Sequence, residues 1–267
     1  MSIGKTIRLN RLFAHPSGRF CSIAVDHFIN YGHCLPDALE HMPDTLKAIA
    51  AGQPDAVTMM KGMACTAWLP YAGKIPLIIQ GIAGRPDETA FEQMITPEET
   101  VRFGADAMAM AAYVHGANEA YYLRIVADAV REAARFDLPI ILHIYPRQKS
   151  SGYKTISFAP EDIAWAVHCA MEVGVDVIKV PYCGDVKAYA QIVADTPVPV
   201  VAAGGPQQAT LEAALNMMSD VVKSGAKGAT IGRNVWSHTN ITGAVKAFKA
   251  VIHDGASAQQ AMKSAGL

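Results

Sequence analysis

The stretch VDVIKVPYCG, residues 175–184, sets a lysine within a run of apolar and β-branched residues. Such a run predicts a buried strand, where a lysine is rare unless it has a partner or a task. Seven more segments have a similar composition, and segments with helical spacing of apolar residues separate them. The predicted strands cover residues 21–28, 55–62, 74–83, 105–113, 139–146, 175–182, 199–206 and 228–235.

This alternation of strands and helices with short connections predicts a parallel sheet with right-handed crossovers. Eight such units fit a closed (β/α)8 TIM barrel, and 267 residues is close to the roughly 250 that this fold uses. The alternative is a doubly wound open sheet, which usually begins with a glycine-rich turn after its first strand. Here the first strand ends in Asp26-His27-Phe28, so we predict an α/β protein with one barrel domain over residues 1–267, including a lead-in at residues 1–20.

The composition limits the classes of partner. Hydrophobic residues make up 51 % of the chain and charged residues 18 %, which excludes wholesale disorder. A net charge of −1 offers no electrostatic attraction to nucleic acid or to an anionic membrane. We therefore expect a small-molecule partner, with no nucleic acid and no membrane.

The cysteines are odd in number, scattered and without a CxxC pair, which is typical of free thiols in a reducing compartment. The N-terminal segment is basic but lacks the apolar stretch of a secretory signal, and no run is long enough to span a bilayer. We therefore expect a cytoplasmic protein. The five cysteines are Cys21, Cys34, Cys65, Cys169 and Cys183.

Side chains alternate between the two faces of a strand, so the polar residues of several predicted strands can be assigned to one face. In three of these strands one face is wholly apolar and suits the helix layer, whereas the other carries polar groups near its C-terminal end. We assign the polar face to the barrel interior, whose C-terminal end holds the active site in such barrels. Lys179, Tyr145, His143 and Asp26 are therefore predicted to converge at this mouth.

A lysine held among apolar walls has a lowered pKa, because desolvation disfavours its charged form. A neutral amine can attack a carbonyl to form an imine, which draws electrons from the adjacent carbon and allows a carbon–carbon bond to break or form. The structural alternative for Lys179 is a buried pair with Asp26 or another carboxylate. Lys61, at the end of the second predicted strand, is the rival for the imine-forming lysine, although a solvent-reaching position suits it better.

The last two predicted strands end in residues that suit a phosphate. Gly204 and Gly205 follow the seventh strand, and Gly232 and Arg233 follow the eighth. Barrels frequently bind phosphate with these loops and the start of a short helix. Glycines let backbone N–H groups approach the anion, and arginine supplies a charged donor fork. Ordinary turns are the alternative for the glycines.

An ordered set of motifs at these strand ends resembles one known family. The chain resembles the DhnA-type branch of the DeoC/LacD class I aldolases, from about Gly4 to Ala247. That branch contains archaeal-type fructose-bisphosphate aldolases, ADH synthase and the autoinducer-2 phosphate thiolase. The motifs are PSGR (16–19), IAVDH (23–27), YPR (145–147), IKVPY (178–182), AAGGP (202–206) and IGRN (231–234).

The resemblance implies a (β/α)8 barrel, a homo-oligomer, no metal and no other cofactor. It places the Schiff-base lysine at Lys179, a proton-transferring tyrosine at Tyr145 and an assisting aspartate at Asp26. The resemblance also implies a phosphate site at the glycine-rich strand ends. Its residues are Gly204, Gly205, Gly232 and Arg233.

Three residues of the predicted site differ from the usual pattern of the family. Gln148 follows Arg147, His143 stands two residues before the tyrosine, and Phe28 follows the Asp-His pair. Since these positions are near the substrate, they favour a phosphorylated ketose or dicarbonyl compound other than fructose bisphosphate.

Two histidines and an arginine near the mouth have alternative roles. His27 and His143 are expected to donate hydrogen bonds to substrate or to be structural, and a metal site of the class II aldolase type is a further alternative. Arg147 is expected to hold a second anionic group or to be an exposed loop residue. We assign all three to substrate binding and predict no metal.

The predicted function is that of a class I, metal-independent aldolase, a lyase that makes or cleaves a carbon–carbon bond in a phosphorylated ketose or related keto compound. A transaldolase- or thiolase-type transferase would use the same lysine on a phosphorylated dicarbonyl substrate. An alternative of another class is a non-catalytic barrel that binds sugar phosphates.

Overall fold

The computed structural model describes residues 2–31, 35–85, 87, 89–152 and 154–267. Eight parallel strands form a closed barrel in the order β1-β10-β9-β8-β7-β6-β3-β2, which confirms the predicted (β/α)8 fold. A small antiparallel sheet, β4-β5, is added to it. The strands are β1 Phe20–Ala24, β2 Ala56–Met59, β3 Leu77–Gln80, β4 Ile82–Gly84, β5 Phe91–Gln93, β6 Ala107–Val114, β7 Ile140–Pro146, β8 Val177–Val180, β9 Val200–Ala203 and β10 Gly228–Ile231.

The third predicted strand, residues 74–83, is divided in the structure. The chain leaves the barrel at Gly81 and enters the β4–β5 hairpin. A Cβ atom at Gly81 would lie 2.3 Å from Cε of Met108, so a glycine lets the chain pass close to β6 without displacing this side chain. The sequence pattern alone does not separate the two strands, because both are apolar.

Helices cover the outside of the barrel, and the three helical segments recognised in the sequence are confirmed as α7, α8 and α10. Gly174 and Gly225 follow the last two of these helices with φ angles of +79° and +87°, which suit glycine. The helices are α1 Ile3–Leu12, α2 Phe28–Tyr31, α3 Asp37–Glu40, α4 Met42–Ala51, α5 Lys61–Ala67, α6 Pro97–Arg102, α7 Glu119–Ala133, α8 Pro160–Glu172, α9 Val186–Ala194, α10 Leu211–Lys223, α11 Arg233–Trp236, α12 Ile241–Asp254 and α13 Ala258–Ala265.

The apolar residues form two buried clusters, as the alternation along the strands predicts. Ile178 and Val180 of β8 belong to the large cluster between barrel and helices. Val177 of the same strand belongs to a smaller cluster inside the barrel, together with Ile141 of β7. The interior face of each strand is therefore apolar near its N-terminal end, which leaves the C-terminal end for the polar groups.

Helix α1 closes the N-terminal end of the barrel. Leu12 is fully buried in the interior cluster. Nζ of Lys5 lies 3.0 Å from a carboxylate oxygen of Asp176, and Nη1 of Arg11 lies 3.1 Å from Oδ1 of Asp106. The N-terminal segment is thus packed against the end of the barrel opposite to the predicted site.

Cys21, Cys65, Cys169 and Cys183 are free thiols, and Cys34 lies outside the described residues. Within the described parts of the chain, no helix combines the length and the apolar character that a bilayer span requires.

Candidate active site

A cavity opens at the C-terminal ends of β1 and of β7 to β10. It brings together seven of the residues singled out in the sequence: Lys179, Tyr145, His27, Gly204, Gly205, Gly232 and Arg233. Apolar residues and a threonine complete its wall: Ala24, Ile156, Phe158, Pro181, Ala203, Pro206 and Thr230.

Lys179 is the third residue of β8 and points into the barrel, with 6 % of its surface exposed. Burial lowers the pKa of its amine to about 8, although the negative charge of Asp26 acts in the opposite direction. About one such amine in ten is neutral at pH 7, against roughly one in 2,500 for a lysine with an ordinary pKa of about 10.4. The site thus supplies a nucleophile near neutral pH.

Asp26 follows β1 and remains ionised in this dry surrounding. Burial is the largest single influence and would raise its pKa, but His27, Lys179, His143 and a hydrogen bond from Gln80 together lower the pKa. Nε2 of Gln80 donates to Oδ2 of Asp26 at 3.0 Å. Nδ1 of His27 lies 3.4 Å from Oδ1, which is close enough for a charge interaction but lacks hydrogen-bond geometry.

Both histidines near the lysine are held neutral. Burial lowers the pKa of His27, with further lowering by Lys179 and Arg233, while Asp26 opposes the shift. Burial and the neighbouring Lys179 hold the pKa of His143 well below its usual range. His143 lies beside Lys179 across the β7–β8 pair and is 4 % exposed.

The hydroxyl of Tyr145 stays protonated at neutral pH. Burial raises its pKa, and the neighbouring Tyr113 and Asp26 add to this effect. Its ring lies against that of Tyr113 with 6.1 Å between the centroids. Tyr145 therefore enters the cavity as a proton donor rather than as a tyrosinate.

The glycine-rich ends of β9 and β10 form the other side of the cavity. Gly205 has a φ angle of +73°, which suits glycine, and a Cβ atom at Gly232 would lie 2.9 Å from Cε1 of His27, so a side chain there would press on that ring. Nη2 of the exposed Arg233 donates to the carbonyl oxygen of Gly205 at 3.3 Å. The short helix α11 begins at Arg233, directly after the glycine.

Asn234 fixes the loop after β9 and is 8 % exposed. Its Nδ2 donates to the carbonyl oxygens of Gly204 at 2.8 Å and Pro206 at 3.0 Å. Its Oδ1 accepts from the backbone N–H of Gln208 at 2.8 Å. One side chain thus joins the two strand ends that the sequence associates with phosphate.

Three of the predicted site residues, Arg147, Asp26 and His143, do not line the cavity, and Arg147 lies farthest from its predicted role in substrate binding because it is packed under a loop. It is 1 % exposed, and its guanidinium carbon lies 3.9 Å from the ring centroid of Tyr113. The chain after β7 folds back so that Arg147 pairs with Ile156, and Nη1 lies 3.4 Å from the carbonyl oxygen of Lys154. Desolvation and stacking on an aromatic ring therefore give this arginine a packing position.

Lys61 is separated from the site. It begins α5, and its Nζ lies 3.4 Å from Oε1 of Glu99 in a pair whose side chains are 39 % and 45 % exposed. The solvent-reaching interpretation is thus the one that its position supports. In the described part of the chain, no three His, Cys, Asp or Glu side chains are grouped so that they could hold a metal ion.

Sequence reasoning missed Gln80, which lies among the polar groups of the mouth and is 4 % exposed. Its Nε2 contacts Asp26 at 3.0 Å and Nδ1 of His143 at 3.3 Å. The same alternation that selected Lys179 would have found it, since Ile78 of the same strand also faces the interior. Ile156 and Phe158 come from a long loop and had no comparable signal.

Comparisons with known proteins agree with this geometry. A family model described as DeoC/LacD family aldolase matches residues 20–238. A 2-amino-3,7-dideoxy-D-threo-hept-6-ulosonate synthase from Halobacterium salinarum is 32 % identical over 99 % of this chain and 97 % of that protein. The chain belongs to the DeoC/LacD aldolase family, and it is an enzyme of the aldolase class.

Two solved structures are similar over nearly their whole length. An archaeal fructose 1,6-bisphosphate aldolase has a TM-score of 0.82 and 30 % identity, covering 94 % of this chain and 100 % of its own. An archaeal fructose-1,6-bisphosphate aldolase with its catalytic lysine covalently bound to the carbinolamine intermediate of the substrate has a TM-score of 0.82 and 28 % identity, covering 93 % and 99 %.

Proposed function

We propose that this protein is a class I aldolase in which Lys179 forms a Schiff base with a phosphorylated keto compound. The observation that carries the proposal is a buried lysine with a pKa of about 8 in a cavity that it shares with Tyr145 and the glycine-rich strand ends. The carbinolamine on the lysine of a similar archaeal aldolase supports the same chemistry.

The first step uses the neutral amine of Lys179. Its nitrogen attacks the carbonyl carbon, and a proton passes from the nitrogen to the oxygen to give a carbinolamine. Protonation of the carbinolamine hydroxyl, followed by loss of water, then leaves a protonated imine at that carbon. The amine begins the cycle uncharged because burial disfavours its ammonium form.

The protonated imine accepts the electron pair of the carbon–carbon bond that breaks. The hydroxyl on the departing carbon loses its proton to become an aldehyde, and the fragment left on Lys179 becomes an enamine. Tyr145 and the ionised Asp26 are the groups that we assign to proton transfer between this hydroxyl, the enamine carbon and water. Bond formation is the reverse of these steps.

The phosphate is assigned to the loops after β9 and β10. Backbone N–H groups at Gly204, Gly205 and Gly232 suit its oxygens, and Arg233 supplies the positive charge. His27 and His143, both held neutral, are left for uncharged oxygens of the substrate.

The enamine on Lys179 allows two outcomes, that of a lyase and that of a transferase. The similar proteins include both a synthase of an aminodideoxyheptulosonate and fructose-bisphosphate aldolases. A lyase protonates the enamine carbon and releases the fragment when water hydrolyses the resulting imine, whereas a transferase first joins the enamine carbon to a second carbonyl compound and then hydrolyses the imine. Product analysis with one and with two carbonyl substrates distinguishes the two outcomes.

We also infer a cytoplasmic homo-oligomer. Large side chains stay exposed on neighbouring helices, with Tyr121 on α7 at 41 % and Trp165 on α8 at 45 %. Light scattering of the purified protein should give a mass that is a multiple of 28.5 kDa, and a mass of 28.5 kDa would contradict this inference.

Borohydride trapping tests the proposed Schiff base. With dihydroxyacetone phosphate as a phosphorylated ketone probe, borohydride should reduce the imine to a stable amine. The peptide that contains Lys179 should then gain the mass of the probe less one oxygen atom, which peptide mass spectrometry detects.

Two lysine variants serve as controls. Lys179→Met should give no adduct, whereas Lys61→Met should be trapped normally, since that lysine is paired on the outer surface. An adduct on Lys61 would contradict the assignment. Activity that survives Lys179→Met and is lost with a chelator would instead indicate a metal-dependent aldolase.

A further inference from the structure

Gln80 ends β3 at the mouth of the barrel and makes three polar contacts. Its Oε1 accepts from the backbone N–H of Ile82 at 3.1 Å. Its Nε2 donates to Oδ2 of Asp26 at 3.0 Å and lies 3.3 Å from Nδ1 of His143. Gln80, Asp26 and His143 all lie outside the residues that line the cavity, but both neighbours of Gln80 interact electrostatically with Lys179, through which an effect on the reaction can pass.

These contacts permit only one orientation of the amide. If the amide were flipped, its oxygen would face the carboxylate of Asp26 and its NH2 group would face the N–H of Ile82. Both contacts would be repulsive, and two buried groups would lose their partners. The NH2 group of Gln80 is therefore fixed on the side of the carboxylate and the imidazole.

The fixed amide determines which nitrogen of His143 carries the proton. An amide NH2 group has two protons, of which one is donated to Asp26 and the other faces Nδ1 of His143. Nδ1 must then be the acceptor, so the proton of the neutral ring is on Nε2. Nε2 has no hydrogen-bond partner among the described residues, although it belongs to a ring beside Lys179.

We propose that Gln80 is a positioning residue that fixes the tautomer of His143, so that its Nε2–H group is the donor offered to an oxygen of a substrate held on the neighbouring Lys179. The proposal rests on the proposed function for the identity of the substrate as a keto compound. It gives the site a discriminating contact, because a buried donor is left unpaired by a substrate that lacks the matching oxygen. The same amide holds the carboxylate of Asp26 in place.

The tautomer is measured directly by nitrogen NMR of the full-length protein labelled at its histidine rings. The His143 signals are assigned by their loss in His143→Phe. In the unliganded wild type, Nε2 should be protonated and Nδ1 bare. A protonated Nδ1 would overturn the proposal, and this measurement needs no variant of Gln80.

Two variants of Gln80 change the group that faces Nδ1 of His143. In Gln80→Glu a carboxylate replaces the donor, so Nδ1 of His143 should become protonated. In Gln80→Met no donor remains, and signals from both tautomers should appear. In both variants kcat/KM should fall about tenfold or more, as expected when a hydrogen bond to a charged or reacting group is lost. Unchanged nitrogen signals of the His143 ring in both variants would refute the role of Gln80 in fixing the tautomer.

Gln191→Glu is the matched control. Nε2 of Gln191 also donates to a carboxylate, that of Asp195 at 2.9 Å, but on the exposed face of α9. Its kinetics and His143 signals should equal those of the wild type. The two proposals can fail separately, because borohydride tests Lys179 and the tautomer is read without substrate. If Nδ1 of His143 is protonated and borohydride still traps the adduct, only the proposed role of Gln80 is refuted. If Nε2 carries the proton and no adduct is trapped, only the proposed Schiff base on Lys179 is refuted.

Discussion

The side chains of Lys179 and Asp26 influence each other in opposite senses. Burial disfavours the charged amine, and the carboxylate favours it, which leaves the pKa of the lysine at about 8. The amine in turn helps to lower the pKa of Asp26. A change of either residue should therefore be visible in the pH dependence of imine formation.

We expect the rate of imine formation to rise with pH and to level off above about pH 8, because only the neutral amine attacks the carbonyl. In Asp26→Asn the influence that favours the ammonium form is gone, so the pKa of Lys179 falls and the rise moves to lower pH. The plateau should also fall, because we assign Asp26 to proton transfer. Timed borohydride trapping at a series of pH values measures both effects.

Asp128→Asn is the control for this shift, since that carboxylate pairs with Arg124 on the exposed face of α7. Its profile should match that of the wild type. A rise that moves to higher pH in Asp26→Asn would show that the carboxylate does not stabilise the charged amine.

The sequence predicted the residues whose positions follow from the strand itself. Lys179 and Tyr145 were assigned to the interior by the period of two, and the structure brings both to one cavity. Arg147 lies outside the cavity lining, because its direction depends on how the loop after β7 folds back onto Ile156, so its role in substrate binding stays a prediction. Gln80 was overlooked because a single glutamine at a strand end belongs to no motif, although its face was predictable.

Among the structural elements, the loop after β9 and the helix α11 are joined by Asn234. Its side chain forms hydrogen bonds with backbone groups of Gly204, Pro206 and Gln208, all of which belong to the loop after β9. The glycine motif of the sequence predicted the two loops but not their connection, because the partners are backbone groups, which any sequence carries.

Asn234→Ala should weaken the competitive inhibition by inorganic phosphate about tenfold or more, because the loop that we assign to phosphate loses its fixed position. The protein should also lose about 2–3 kcal/mol of unfolding free energy, since the backbone groups of Gly204 and Gln208 lose their partner and that of Pro206 keeps only the side-chain amide of Gln208. Inhibition kinetics and urea unfolding measure the two quantities.

Asn240→Ala separates the two effects. Oδ1 of Asn240 caps α12 by accepting from the N–H of Gly243 at 2.8 Å, so its loss should cost about 1 kcal/mol and leave phosphate inhibition unchanged. Equal inhibition constants in wild type and Asn234→Ala would remove the loop after β9 from the phosphate site.

The limits of the barrel strands were predicted less well than their number. The predicted strand 21–28 ends at Ala24, and the predicted strand 228–235 ends at Ile231. In both cases the chain enters a short helix, α2 or α11, before the predicted span ends. Short segments of this kind do not by themselves distinguish the end of a strand from the start of a helix.

For the molecule as a whole, the two ends of the barrel have separate tasks. The C-terminal end holds the polar cavity, and the N-terminal end is closed by α1. This arrangement predicts that changes under α1 alter stability without altering the chemistry at Lys179.

Leu12→Ala tests this separation, because Leu12 is fully buried between α1 and the barrel interior. The lost apolar surface and the cavity left behind should cost about 2–5 kcal/mol of unfolding free energy. Below the new unfolding transition, the yield of the borohydride adduct and its pH dependence should equal those of the wild type.

Ile3→Ala on the same helix is the control, since Ile3 is 80 % exposed and its loss should change stability by about 0.5 kcal/mol or less. A shifted pH profile in Leu12→Ala would mean that the packing at the closed end of the barrel influences the lysine at the open end.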